Sequence, residues 1–212
     1  MSLPFGTKVY LEDKTLKKVQ DLKFGDKVLS IKINDEECSN HSELYTKYLK
    51  KDNNDSTRYI EKELISLSST YVYSVFTIKD YTSFIGLNNN IISEITPVLI
   101  SKTKSDPQQF YIKDSRDMSV IIKNSESEND KYYLQSLAAQ SFSLNKNIDN
   151  GEVFIDSENL LFQKQITQIN SNIKNQPSVN VVLLDNHLLI TEHFICFGSI
   201  AGGVFLSWKK LF

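Results

Sequence analysis

Few residues in this chain have the types that do chemistry, and they lie far apart. Ser2 carries a hydroxyl that could attack a carbonyl if a base took its proton. The three histidines, His41, His187 and His193, are the side chains that titrate near neutrality. Cys38 and His41 give a C-x-x-H spacing, but a zinc site needs about four ligands and only Glu36 and Glu37 stand near. No metal is therefore expected. The chain contains neither G-x-S-x-G nor G-x-x-x-x-G-K-[ST], so a nucleophile elbow and a phosphate loop are both absent. Carboxylates are plentiful, yet no two pair at identifiable catalytic positions. Nothing here calls for a cofactor.

The elements that would position these residues read as strands. Val9 and Leu11 share one face of a run over Lys8–Leu11. Lys27–Ile33 alternates, with Val28, Ser30 and Lys32 on one side and Leu29, Ile31 and Ile33 on the other. Gly25 stands where a turn before that strand needs a positive φ. Further strands are expected at Leu64–Leu67, Tyr71–Lys79, Ser83–Leu87, Ile91–Ser101, Phe110–Ile112, Val120–Lys123, Val153–Ile155, Leu160–Ile169, Val179–Leu184 and Leu188–Phe197. Asn88-Asn89-Asn90 and Asn150-Gly151 are turn signals. Tyr132–Ala139 predicts a short helix, because Leu134, Leu137 and Ala138 share a helical face. Many short strands joined by polar turns make an all-β sandwich or barrel.

Residues 34–63 break the pattern. They are rich in Asp, Glu, Asn, Lys and Ser, with Leu44, Tyr45, Tyr48 and Leu49 as the few apolar anchors. A solvated loop, an inserted hairpin and a turn or two of amphipathic helix all fit that composition. At the other end, Phe205, Trp208, Leu211 and Phe212 crowd the stretch 200–212, which serves as an added strand or a docking segment.

Bulk properties narrow the function further. The chain has 212 residues, a formal net charge of -2, and 40% hydrophobic residues, enough for one core-bearing domain. A near-neutral balance gathers neither nucleic acid nor anionic lipid. No apolar run reaches the ~20 residues that span a bilayer, and no signal-peptide pattern opens the sequence. Cys38 and Cys196 sit in dissimilar contexts, so a disulfide is not indicated. A protein that stays in the cytoplasm on synthesis is the expectation.

Two stretches carry a family resemblance. Ser2-Leu3-Pro4-Phe5-Gly6-Thr7-Lys8-Val9 and Val19-Gln20-Asp21-Leu22-Lys23-Phe24-Gly25-Asp26-Lys27-Val28 resemble the opening of Hint (hedgehog/intein) domains. There, a nucleophile precedes a Gly-Thr strand and an (I/V)-x-(D/E)-L-x-x-G-D-x-V segment. Ser93-Glu94-Ile95-Thr96-Pro97-Val98-Leu99-Ile100 resembles the family's T-x-x-H block, and Val179 to Ile190 resembles its late strand pair, with His187 as the family histidine. The resemblance implies an all-β, horseshoe-shaped Hint-like domain over 1–199 with a polar insertion at 34–63.

The resemblance also implies self-processing chemistry, and the residues fail most of its roles. Ser2 holds the nucleophile position and Thr96 is retained. The histidine of T-x-x-H falls on Leu99, which can neither give nor take a proton. Counted from His187, the penultimate histidine falls on Phe197, the cyclising asparagine on Gly198, and the acceptor on Ser199. Ser2, Thr96, Leu99, His187 and Ser199 are thus vestigial positions, and no enzyme activity is expected. The expected role is a structural or interaction module that binds other protein subunits through Tyr45, Tyr48, Phe205, Trp208, Leu211 and Phe212. Degenerate Hint-like domains of phages and viruses suggest a virion or tail component. The alternative is residual autoproteolysis by an N–O acyl shift at Ser2.

Overall fold

The alternation along Lys27–Ile33 divides the interior in two. Val28 belongs to one buried cluster, and Leu29, Ile31 and Ile33 belong to another on the opposite face. A strand with apolar residues on both faces can be satisfied only if both are covered. The computed structural model describes residues 2–38, 41–48, 59–78, 84–87, 90–93, 96–102, 109–114, 131–137, 153–156, 159–166, 169–173, 176–184 and 187–198.

In chain order the first half supplies β1 (Leu3–Pro4), β2 (Lys8–Tyr10), β3 (Leu16–Lys18), β4 (Lys27–Ile33), α1 (His41–Tyr48), β5 (Ile60–Glu61), β6 (Ile65–Ile78), β7 (Phe84–Leu87) and β8 (Asn90–Ser93). The second half supplies β9 (Pro97–Ser101), β10 (Gln109–Asp114), β11 (Tyr133–Leu137), β12 (Val153–Asp156), β13 (Asn159–Gln165), β14 (Ile169–Ile173), β15 (Ser178–Leu183), β16 (His187–Ile190) and β17 (Ile195–Phe197). One large sheet runs β1-β15-β6-β4-β16-β17-β9-β11-β13-β12, with β10 and β5 branching from β9. Smaller sheets are β14-β7-β8 and the hairpin β2-β3. The fold is all-β, and among the described residues the helical elements are α1 and two single 3-10 turns. Among the described residues no helix is long and apolar enough to cross a membrane.

Several local expectations hold. Gly25 has φ +85, and its N–H donates to the Val72 carbonyl, tying the turn before β4 to β6. The expected strand over 91–101 is interrupted: β8 ends at Ser93, and the Thr96 N–H donates back to the Ser93 carbonyl before β9 begins. Asn150-Gly151 and Val120–Lys123 lie outside the described residues.

One expectation is corrected and one is decided among its alternatives. Tyr132–Ala139 is not a helix, because its core is β11, seated between β9 and β13. Every residue of β11 is buried, and the Gln135 amide donates to Ser101 Oγ and the Tyr133 carbonyl. A strand covered on both faces loses the alternation that identifies strands, so helical spacing appears by default. Of the readings open for the insertion, the turn or two of amphipathic helix is the one observed. Within it, α1 forms and buries Leu44 and Tyr48, one turn apart, in the second cluster, and Ile60 of β5 joins them.

Candidate functional site

Ser2 and Thr96, 94 positions apart in sequence, meet. The Ser2 N–H donates to Thr96 Oγ1 at 3.3 Å, and the Thr96 hydroxyl donates to the Ser2 carbonyl at 3.1 Å. Both residues are buried. The sheet produces this contact simply. β1 is pinned by Leu3 opposite Val179 on β15 and lies beside β8, while the turn after β8 delivers Thr96.

Strand register adds neighbours. Cys196 stands opposite Val98 and opposite Leu189 on the other side. Continuing that register by two residues sets Thr96, Gly198 and His187 in one row across β9, β17 and β16. Strands lie ~4.8 Å apart, so the backbones of Thr96 and His187 are roughly 10 Å apart. The His187 side chain and Ser199 lie outside the description. Gly198 is the tight point of the row. A Cβ there would meet Leu183 Cγ at 3.2 Å and the Val181 carbonyl at 3.3 Å. No larger residue fits without movement of β15.

Leu99 does not join them. Val98 and Ile100 belong to the first cluster, beside Leu3, whereas Leu99 belongs to the second, with Phe110, Ile112 and Phe197. In an extended strand, residues an odd number apart point to opposite faces. Leu99 carries no proton donor, and a histidine at 99 would enter the second core.

Cys196 is fully buried, and burial raises its thiol pKa strongly, so it is no thiolate nucleophile. Among the described residues, no titratable side chain hydrogen-bonds Ser2. Thr96 Oγ1 accepts from the Ser2 N–H, the nitrogen of the amide that an acyl shift would attack.

Charge is concentrated elsewhere. Asp35 is almost buried, and its Oδ2 accepts from Tyr48 Oη at 2.5 Å and Lys47 Nζ at 2.7 Å. Cys38 Sγ stands 3.6 Å from the same oxygen, and the Glu37 N–H donates to Oδ1 at 3.0 Å. Burial opposes the charge, but the Lys47, Tyr48 and Glu37 hydrogen bonds prevail and hold Asp35 at a pKa of about 2. Burial and the Asp35 charge push the Cys38 thiol up to about 11. This knot fastens α1 to the end of β4. Sequence reading passed over Asp35 because a lone Asp in a polar stretch carries no signal. Tyr48, expected to face a partner, is corrected to a buried residue whose hydroxyl is spent on Asp35. The side chains of Tyr45 and His41 fall outside the description, as do Phe205, Trp208, Leu211 and Phe212. Among the described residues no three His, Cys, Asp or Glu converge to hold a metal.

No known protein family's sequence profile matches the chain, and no curated protein matches it. Solved structures do. The Ssp DnaB mini-intein variant M86 superposes with a TM-score of 0.50 at 11% identity, covering 94% of each chain. The chain has the Hint fold. A DnaB intein from Synechocystis sp. PCC 6803 gives 0.48 at 10% identity, covering 94% of this chain and 99% of that one. The KlbA intein precursor from Methanococcus jannaschii gives 0.46 at 14%, covering 96% and 94%. At such identities the likeness concerns the fold alone.

One correspondence within the Hint fold shifts. The late strand pair expected over Val179–Ile190 does not form, because β15 pairs with β6 and β1 while β16 pairs with β4 and β17. The late hairpin is β16–β17. It opens on His187, and its turn is closed by the Thr191 hydroxyl, which donates to the Phe194 carbonyl and accepts the Phe194 N–H. The His193 side chain is half exposed, with Nε2 3.8 Å from Glu192 Oε2.

Proposed function

We propose that this Hint domain is a non-catalytic interaction module, and that its Ser2–Thr96 contact is a structural clamp. The carrying observation is the direction of that contact. The Thr96 hydroxyl is spent on the N–H and carbonyl of Ser2 itself, while position 99 faces the other core. An acyl shift needs a proton donor and acceptor at the attacked amide, a contribution of ~10²–10⁴ in rate. The Thr96 hydroxyl reaches the nitrogen of that amide, but among the described residues no titratable side chain joins it there.

In this reading the partners are other protein subunits of a larger assembly. A virion or tail is the narrow form of it, and that form predicts co-sedimentation with purified particles. The rival is residual self-processing, favoured by the fact that Thr96 reaches Ser2 at all. A foreign passenger fused ahead of Ser2 separates the two. The module reading expects one intact mass after long incubation, with or without hydroxylamine. Passenger release that hydroxylamine accelerates and Ser2→Ala abolishes would establish the rival.

A further inference from the structure

The long strand β6 leaves the domain with an apolar outer face. Val72 and Val75 pack toward the first cluster, and the register to β15 slips by one between Ser74 and Val72. That bulge carries an outward row from Tyr71 and Tyr73 on to Phe76 and Ile78. Phe24 packs edge-on against Tyr73, with ring centroids 6.0 Å apart, and the Leu184 N–H donates to the Tyr71 carbonyl. Phe24 is 78% exposed, Phe76 54% and Tyr71 49%, with Leu184 and Ile78 also exposed.

Aromatic side chains present ~150–250 Å² each, so these five residues leave roughly 500 Å² of apolar area in water. That lies at the top of the range for a lone monomer, where such patches mark interfaces. The ion pairs at its rim among the described residues join Lys27, stacked over Tyr71, to Glu12, and Lys17 to Asp26, two residues from Phe24. Both signs are already matched there, so nothing on this face calls for a charged partner.

The geometry points to a second copy of this chain as the occupant, with β6 packed against β6 about a two-fold axis. Two such faces together bury about 1,000 Å² from these residues alone, the lower bound for a stable interface, before any rim is counted. A two-fold contact also sets each Lys27–Glu12 pair against surface of no net charge and repeats every apolar contact twice. The inference rests on the module reading only for its meaning, since the face is separate from the Ser2–Thr96 clamp.

Sedimentation equilibrium of the full chain over a wide concentration range tests it, beside Phe24→Lys and Phe76→Lys. Both positions are exposed, and far-UV circular dichroism checks that each variant folds. The expected result is a reversible dimer that each variant weakens by at least about tenfold. A monomer at every concentration would overturn it, as would a dimer that neither variant disturbs. Trp208, the single tryptophan, identifies the competitor. Monomeric protein whose Trp208 emission moves to the red in Phe76→Lys would assign the face to the chain's own C-terminal stretch and overturn the two-copy contact. None of these outcomes bears on passenger release, so failure here and failure of the module reading stay distinct.

Discussion

The Ser2–Thr96 clamp and the Asp35 knot are both buried polar contacts that tie distant segments together, yet they are built from opposite materials. The clamp uses one neutral hydroxyl against one peptide unit, at the place where a Hint fold would do chemistry. The knot gathers a carboxylate, an ammonium, a phenol and a thiol, the groups that catalysis uses, and spends them on fastening α1. Titratable groups have collected where the insertion must be held, while among the described residues no titratable side chain hydrogen-bonds Ser2. A perturbed pKa is thus a poor guide to function here, because the most perturbed carboxylate closes a turn.

The comparison can be broken in several ways. The largest effect belongs to Leu99→His. A polar ring in the second core loses leucine packing and gains an unsatisfied group, costing about 3–5 kcal/mol in urea unfolding, with no gain of cleavage. Stability near that of the parent would mean that position 99 reaches solvent or Ser2. Asp35→Ala comes next. It strips Lys47 and Tyr48 of their shared acceptor, and about 3 kcal/mol of lost stability is expected. A shift in midpoint under a third of that would remove the knot from the account.

Acid sharpens the same contrast. Asp35 titrates at about 2 in the folded chain and near 3.8 unfolded, so the unfolded chain binds more protons between those values. The knot's contribution is fully present above pH ~3.8, is lost as pH falls toward about 2, and amounts to about 2 kcal/mol. Urea midpoints along that window should fall in the parent more than in Asp35→Asn. Parallel curves would contradict it. The clamp, having no titrating group, should leave the difference between Thr96→Val and parent unchanged over the same range.

Much of this was legible in the sequence, for reasons that differ by segment. The alternation of Val28 against Leu29, Ile31 and Ile33 gave both cores, because strand periodicity survives wherever the two faces differ. The Ser2 and Thr96 positions came from a resemblance in spacing, and the sheet does unite them. What escaped were features that local pattern does not carry. β11 is buried on both faces and reads as helix. Asp35 acquires its partners only when α1 folds back. The late hairpin joins β16 to β17 and not to β15, because pairing partners are chosen across the sheet and not along the chain. Leu99's orientation likewise needed the register of β9.

The central claim is that Thr96 holds the backbone of Ser2 and serves stability. Urea midpoints of Thr96→Val and Thr96→Ser at neutral pH test it directly. Valine keeps the shape but leaves a buried N–H and carbonyl unmatched, so a loss of about 1–3 kcal/mol is predicted, and serine, which keeps the hydroxyl, should recover most of it. A valine variant as stable as the parent would contradict the account.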